Sequence, residues 1–108
     1  MRTRPLPTDA ELALLQVLWR RGPSTVRDVH EELRGEGEGS GYTTVLKLLQ
    51  IMAQKGLVQR DESQRSHVYR AAATREQTQK KLVGDLLDRA FGGSAQDLVM
   101  RALSVKPA

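Results

Sequence analysis

A chain of 108 residues, 39% of them hydrophobic and 28% charged, has the composition of an ordinary folded protein with one domain or a small domain and an appendage. The formal net charge is +4, and the absence of cysteine excludes disulfides, thiolate metal sites and cysteine nucleophiles. No run approaches the roughly 20 apolar residues that a membrane-spanning helix needs, and the N-terminus does not resemble a signal peptide. We therefore expect a cytoplasmic protein that does not enter a membrane.

Two amphipathic helices are predicted first. Thr8 and Glu11 form a capping box, and Gly22-Pro23 ends the first helix. The second helix, capped by Ser24 or Thr25, stops at Gly35. The residues expected to face the core recur three or four positions apart; they are Leu12, Leu15, Leu18 and Trp19 in the first helix and Val26, Val29 and Leu33 in the second.

A glycine-rich loop over residues 35–41 leads into a third predicted helix over residues 42–55, which ends at Gly56. Its core stripe consists of Val45, Leu48, Leu49 and Met52, whereas the pattern does not bury Leu46 and Ile51 cleanly. The residues away from the stripe are polar and include no acid; they are Thr43, Thr44, Lys47, Gln50 and Gln54.

The periodicity then changes from 3.6 to 2, which predicts a β-hairpin with strands at 57–60 and 67–70 around a polar turn at 61–66. A second capping box, Thr74 with Gln77, begins a fourth helix that continues to about Phe91. Ser94 caps a short fifth helix, and residues 104–108 are expected to lack order.

Three short helices closed by a hairpin indicate a winged helix-turn-helix domain, here in residues 1–73, followed by a helical dimerisation region in 74–108. The fold class is thus mainly α with a small β-hairpin. In this fold the third helix enters the major groove of DNA and the hairpin, or wing, lies along the backbone. The predicted DNA-binding residues are Thr43, Thr44 and Lys47 on the helix, Arg65, Ser66 and His67 at the wing tip, and Arg27 at the start of the second helix.

The charge distribution agrees with a polyanion-binding face, although a mildly basic soluble protein would also fit it. Residues 28–38 contain five acids against one arginine, whereas residues 42–70 contain five lysines and arginines against two acids. Viewed singly, Thr43 and Thr44 fit plain helix caps, and Arg65 fits a solvated turn residue.

Several short runs, in unbroken order over about residues 6–103, resemble the penicillinase-repressor family, of the BlaI/MecI/CopY type. They are LPTDAE at 6–11, VLW at 17–19, VRDV at 26–29, YTTVLKLL at 42–49, KGLV at 55–58, HVY at 67–69, FGGS at 91–94 and LV at 98–99. The resemblance implies a winged-helix repressor that binds a palindromic operator as a dimer formed by its C-terminal helices. It also implies an upstream sensor or protease as a partner.

The sequence departs from the family pattern at several points. Ile51 stands where members usually carry a basic residue, and Arg101-Ala102 aligns with the Asn-Phe bond at which the best-known members are cleaved. The paired cysteines of copper-responsive relatives are missing. Members usually continue for another helix, so we expect either a weaker dimer or that this sequence is shortened.

Independently of the resemblance, the fourth helix carries a wide apolar stripe that only the short fifth helix remains to cover. Such a stripe marks an interface, because leaving several large apolar side chains in water is costly. The competing interpretation is that the helix folds back on its own winged domain. The predicted dimerisation residues are Leu82, Val83, Leu86, Leu87, Phe91 and Leu98.

The main alternative to a DNA-binding repressor is a winged-helix adaptor for protein interactions, to which the unplaced Leu46 and Ile51 lend support. The absence of acids on the third helix counts against it. An enzyme is not expected, because the carboxylate pairs lie on a helix surface and in a turn, without a nucleophile or phosphate loop. With only His30 and His67 as histidines, we expect neither a metal site nor a cofactor.

Overall fold

The computed structural model describes residues 5–37 and 40–105. The chain divides into two compact units, Met1–Arg75 and Glu76–Ala108. The elements follow in the order α1 (Asp9–Arg21), β1 (Ser24–Thr25), α2 (Val26–Gly35), α3 (Tyr42–Lys55), β2 (Val58–Asp61), β3 (Val68–Ala71), α4 (Arg75–Phe91) and α5 (Ala95–Val105). The sequence predicted a boundary after residue 73, two residues before the division between the units.

The sheet of the first unit has three antiparallel strands in the order β1-β3-β2, one strand more than the sequence predicted. Ser24 pairs with Tyr69 and Thr25 with Val68. The sequence did not predict this strand, whereas the prediction that Ser24 or Thr25 caps the second helix is confirmed at Thr25. A two-residue strand shows no periodicity, which is why the pattern did not reveal it. Thr25 has both roles, because its Oγ1 also accepts the Asp28 N–H of α2 at 3.1 Å.

The two longer strands each lie one residue later than predicted, at Val58–Asp61 and Val68–Ala71. The end of α3 explains the shift of β2. Gly56 adopts the left-handed conformation with φ 82°, and the Leu57 N–H donates to the carbonyl of Met52 at 2.9 Å. Because the Leu57 N–H completes the helix cap, strand pairing begins at Val58.

The predicted capping box of α1 is confirmed. The Thr8 N–H donates to Glu11 Oε1 at 2.9 Å, and the Glu11 N–H donates to Thr8 Oγ1 at 3.2 Å. At the other end, the N–H of Gly22, with φ 92°, donates to the carbonyl of Leu18. These three hydrogen bonds fix both ends of α1 and therefore the residues that it turns toward the core.

One apolar core lies among α1, α2, α3 and the sheet. The predicted face of α1 was partly wrong: Leu14 and Val17 are buried, whereas Leu12 and Trp19 are only half-buried against the core, as is Leu48 of α3. Because α2, α3 and β3 all pack on α1, its buried surface is wider than a single stripe. The buried hydrophobic residues are Leu14, Leu15, Val17, Leu18, Val26, Val29, Leu33, Val45, Leu49, Met52, Leu57, Val58 and Tyr69.

The second unit consists of α4 from Glu76 onward and α5. The predicted cap of α5 is confirmed, since Ser94 Oγ accepts the Asp97 N–H at 3.2 Å. The expectation of no order from residue 104 was wrong for Ser104 and Val105, which continue α5; residues 106–108 lie outside the described part of the chain. Within the described residues, no helix is both long and apolar enough to cross a membrane.

Candidate nucleic-acid interface

The exposed face of α3 follows from its buried one. Val45, Leu49 and Met52 are completely buried, and a helix advances by about 100° per residue. The opposite face therefore consists of positions 43, 47, 50 and 54, all of which are exposed and none of which is acidic. This face presents polar and basic groups to any ligand that approaches α3.

The start of α3 also lacks a competing acceptor. Gly41 occupies the N-cap and makes no side-chain hydrogen bond to the first turn, which contains no acid. The partial positive charge of a helix N-terminus is thus not countered by a carboxylate within this turn. An anion or a base edge can approach the N–H groups of the first turn without displacing a side-chain cap.

The three predicted residues of α3 lie together. Thr43, Thr44 and Lys47 line a shallow concavity of about 220 Å³ with Leu48 and Ile51. Ile51 is 38% exposed, so the position that the pattern could not assign is at the surface. The concavity combines hydroxyl groups, one cation and apolar surface.

The predicted residues of the wing and of α2 lie together on the other side of α3. A groove of about 300 Å³ runs between α3, the start of α2 and the wing, and α3 contributes Tyr42, Leu46 and Gln50 to it. All seven predicted DNA-binding residues are exposed, but they form two groups, one on each side of the α3 face. The predicted residues in the groove are Arg27, Arg65, Ser66 and His67.

Ion pairs neutralise many of the charged side chains that the sequence contains. Arg20 pairs with Glu32 at 3.5 Å and also contacts Glu36, and Arg21 pairs with Asp28 at 3.3 Å and Glu32 at 3.4 Å. Asp28 and Glu32 of α2 are thus matched by the arginines at the end of α1.

The cations of the candidate interface differ in how far they are countered. Arg27 pairs with Glu31 at 3.6 Å, with both side chains largely exposed, and such a pair is weak. Within residues 5–37 and 40–105, neither Lys47 nor Arg65 has a carboxylate partner. Lys47 and Arg65 therefore keep their charge available for an anionic ligand.

Arg60 is a wing residue that sequence reasoning missed. Its guanidinium interacts with the Tyr69 hydroxyl and forms an ion pair with the Glu62 carboxylate, and these interactions raise the pKa of Arg60 above its ordinary value. Asp61 accepts the Ser63 N–H at 2.9 Å, and this bond lowers the pKa of Asp61. The wing is thus held at the strand pair next to its turn and within the turn itself. The alternation of side chains along a strand could have placed Arg60 on one face of the hairpin, but it could not have shown that Tyr69 lies beside it.

Asp28 fixes the start of α2, next to Arg27. The Thr25 N–H donates to Asp28 Oδ2 at 3.1 Å, and this bond is the main cause of the lowered pKa of Asp28, with Arg21 adding to it. The Thr-x-x-Asp spacing is a capping-box signal that the sequence carries, and it would have favoured Thr25 over Ser24 as the cap.

Tyr42 and Gln50 are further groove residues outside the predicted set. Tyr42 is 47% exposed, and its ring meets His30 edge-on with the centroids 5.8 Å apart. Gln50 follows Lys47 by three positions, so the helical period already placed it on the same face. Among the described residues there is no group of three or more metal-ligating side chains.

The family model described as penicillinase repressor matches residues 7–107, nearly the whole chain. The chain belongs to the penicillinase-repressor family. A relative named transcriptional regulator BlaI, from Mycobacterium tuberculosis, is 39% identical over 83 residues, which are 76% of this chain and 59% of the relative. The chain thus spans less than two thirds of that relative.

Solved structures agree on the fold of this penicillinase-repressor family member. The DNA-binding domain of the repressor BlaI matches with a TM-score of 0.59 and 24% identity, over 69% of this chain and 90% of that domain. The ferric uptake regulator of Pseudomonas aeruginosa matches with a TM-score of 0.54 and 28% identity, over 61% of this chain and 52% of that protein. The resemblance and the winged-helix fold are thereby confirmed. The relatives from Mycobacterium tuberculosis are named transcriptional regulators.

Proposed function

We propose that this protein is a sequence-specific transcriptional repressor that binds a palindromic operator in double-stranded DNA as a homodimer. The observation that carries the proposal is the acid-free exposed face of α3. Lys47 lies on this face, and the wing cation Arg65 lies in the groove beside it. The monomeric form of a BlaI from Bacillus licheniformis was solved in complex with the blaP half-operator, and its fold matches this chain with a TM-score of 0.58 at 24% identity over 70% of this chain and 92% of that one.

Each group of interface residues has a role in the proposal. Thr43, Thr44 and Lys47 read base edges in the major groove, because hydroxyl groups and an ammonium group hydrogen-bond to bases and a threonine methyl packs on a thymine methyl. The groove residues bind phosphates and set the register of α3 on the duplex. These residues are Arg27, Arg65, Ser66 and His67.

The homodimer is proposed from the apolar surface of the second unit. In α4, Val83 and Leu86 are 49% and 45% exposed, and no residue of α5 is buried. Large exposed apolar patches mark interaction sites, and a second copy that covers this surface would remove it from water. The proposed interface consists of Leu82, Val83, Leu86, Leu87, Phe91 and Leu98, and the exposed Val99, Met100, Leu103 and Val105 of α5 extend it.

The proposal includes an upstream sensor or protease that ends repression, and a cytoplasmic location where the operator is accessible. The bond that aligns with the cleavage site of the best-known members joins Arg101 to Ala102 within α5. A protease would have to unwind this helix before cutting there, because an extended backbone is needed for cleavage and α5 is helical on both sides of the bond.

Binding to duplex DNA at increasing salt tests the proposal. We expect fluorescence anisotropy with labelled genomic fragments to show a steep loss of affinity, with a log–log slope of about 0.9 for each phosphate neutralised. Arg65→Ala should reduce that slope by about 0.9, the contribution of one phosphate contact. Arg34→Ala removes the same charge from the exposed end of α2 and should leave the slope unchanged. A flat salt response, or equal effects of the two variants, would contradict the proposal.

A further inference from the structure

Gln50 occupies the middle of the exposed face of α3. The residues on this face with polar side chains are Thr43, Lys47, Gln50 and Gln54, and Gln50 is exposed. A helix that lies along the major groove can also bring residues beyond its first turn to the base edges, as the third helix of a homeodomain does. Gln50 is therefore placed to reach DNA if α3 is the reading helix.

The surroundings of Gln50 leave its carboxamide available. Gln50 lines the groove between α3 and the wing, and it lines a neighbouring concavity of about 490 Å³ with Gln54, Arg60 and Glu62. Over the described ranges 5–37 and 40–105, no hydrogen bond engages its side chain. Arg60, which faces the same two spaces, is instead held by Tyr69 and Glu62. On the wing side of α3, the carboxamide of Gln50 is thus available for a ligand, whereas the guanidinium of Arg60 already has partners.

The chemistry of a carboxamide selects its partner. Its carbonyl oxygen accepts one hydrogen bond while its amino group donates, which matches the N6 donor and N7 acceptor of adenine in the major groove. Guanine offers two acceptors there, so the carbonyl oxygen would face an acceptor. A phosphate is also acceptor-only, and Lys47 and Arg65 beside Gln50 serve it better.

We propose that Gln50 is a specificity-determining residue that recognises an adenine in each half-site through paired hydrogen bonds in the major groove. This inference rests on the proposed function, since it requires that α3 read DNA. It adds one residue to the proposed interface and names the base that this residue recognises. Thr43, Thr44 and Lys47 contact bases from one side of the α3 face, and Gln50 contacts a base from the side of the wing.

Selection of binding sites from a randomised duplex library tests the proposal on the full chain. The parent protein should select a motif with adenine at one position of each half-site. Gln50→Ala should lower the preference for that adenine by about tenfold while other positions keep theirs. Gln50→Lys should prefer guanine at the same position, because a lysine donates to O6 and N7.

The controls separate base reading from charge and from folding. Gln16→Lys adds the same charge at an exposed position of α1 and should leave the selected motif unchanged. Thermal unfolding should show that the Gln50 variants are as stable as the parent, since the side chain is exposed. Uniform weakening at all positions in Gln50→Ala would identify a phosphate contact and overturn the proposal, as would an unchanged motif. A parent that selects no motif would overturn the proposed function itself.

Discussion

The substitution Glu11→Gln removes one charge from the ion pair that joins the start of α1 to the end of α3. The Glu11 side chain is only 3% exposed, and Lys55 Nζ donates to its Oε2 at 2.7 Å, while the Thr8 N–H donates to Oε1 at 2.9 Å. Glutamine keeps the shape and can still accept from Thr8. The variant therefore tests the charge of the pair and leaves the capping box in place.

The expected loss of stability is about 2 kcal/mol. Removing one partner of a fully buried ion pair costs about 3–5 kcal/mol, but the Lys55 side chain is 31% exposed and can turn toward water. The remaining effect is that of one charged hydrogen bond, about 1.5–3 kcal/mol. For a winged domain of this size, that loss lowers the melting temperature by roughly 10 °C.

The pH dependence follows from the direction of the pKa shift. Burial alone would raise the pKa of Glu11, but the hydrogen bonds from Lys55 and from the Thr8 N–H outweigh it, so the pKa lies below its ordinary value of 4.5. The contribution of a carboxylate with a lowered pKa is present above the unfolded-state value and is lost as the pH falls through the folded-state value. The difference between parent and variant should thus be full at pH 7 and should shrink below about pH 4.5.

Urea unfolding followed by circular dichroism, at one fixed protein concentration, measures this difference. The matched control is Glu31→Gln, which removes the same charge from an exposed pair with Arg27 and should change stability by less than about 0.5 kcal/mol. If Glu11→Gln behaved like this control, or if its effect were unchanged at pH 3, the pair would not stabilise the fold as argued.

Three further predictions concern dimerisation, base reading and packing. Leu86→Asp should sediment as a folded monomer in analytical ultracentrifugation, because it places charge in the proposed interface; a variant that stays dimeric would locate the interface elsewhere. Thr44→Ala should relax discrimination at one base pair by roughly 1–3 kcal/mol in competition binding, and a uniform loss for all sequences would argue against base contact. Trp19→Phe removes the 3.0 Å bond from Nε1 to the Ala73 carbonyl and should cost about 1 kcal/mol in urea unfolding; no loss would mean that water replaces the bond.

The elements that the sequence predicted well are those with strong local signals. The bounds of α3 agree with the prediction at both ends, because glycines stop regular structure before Tyr42 and after Lys55 and an apolar stripe runs between them. The capping box of α1 is equally local, since Thr8 and Glu11 are only three residues apart. Signals of this kind depend on neighbours along the chain, which a sequence displays directly.

The features that were missed depend on residues far apart in the chain. β1 exists because Ser24 and Thr25 pair with β3 more than 40 positions away, and two residues carry no period of their own. The contact between Glu11 and Lys55 likewise spans 44 positions, and the helical pattern of α1 treats Glu11 as an ordinary polar position. Long-range pairing therefore had to come from the structure.

The candidate interface shows the same limit in its electrostatics. The sequence supplies a net charge of +4, an acidic segment at 28–38 and a more basic segment at 42–70, a distribution that agreed with a polyanion-binding face. In the structure, ion pairs join Arg20 and Arg21 to the acids of α2, and Lys55 is bound to Glu11. These pairs cancel most of the charge difference between the acidic and the basic segment. The positive charge of the α3 face therefore comes from the few cations, such as Lys47, that have no carboxylate partner within the described residues. Which cations of the candidate interface stay available is therefore decided by where the acids are already paired rather than by the number of basic residues.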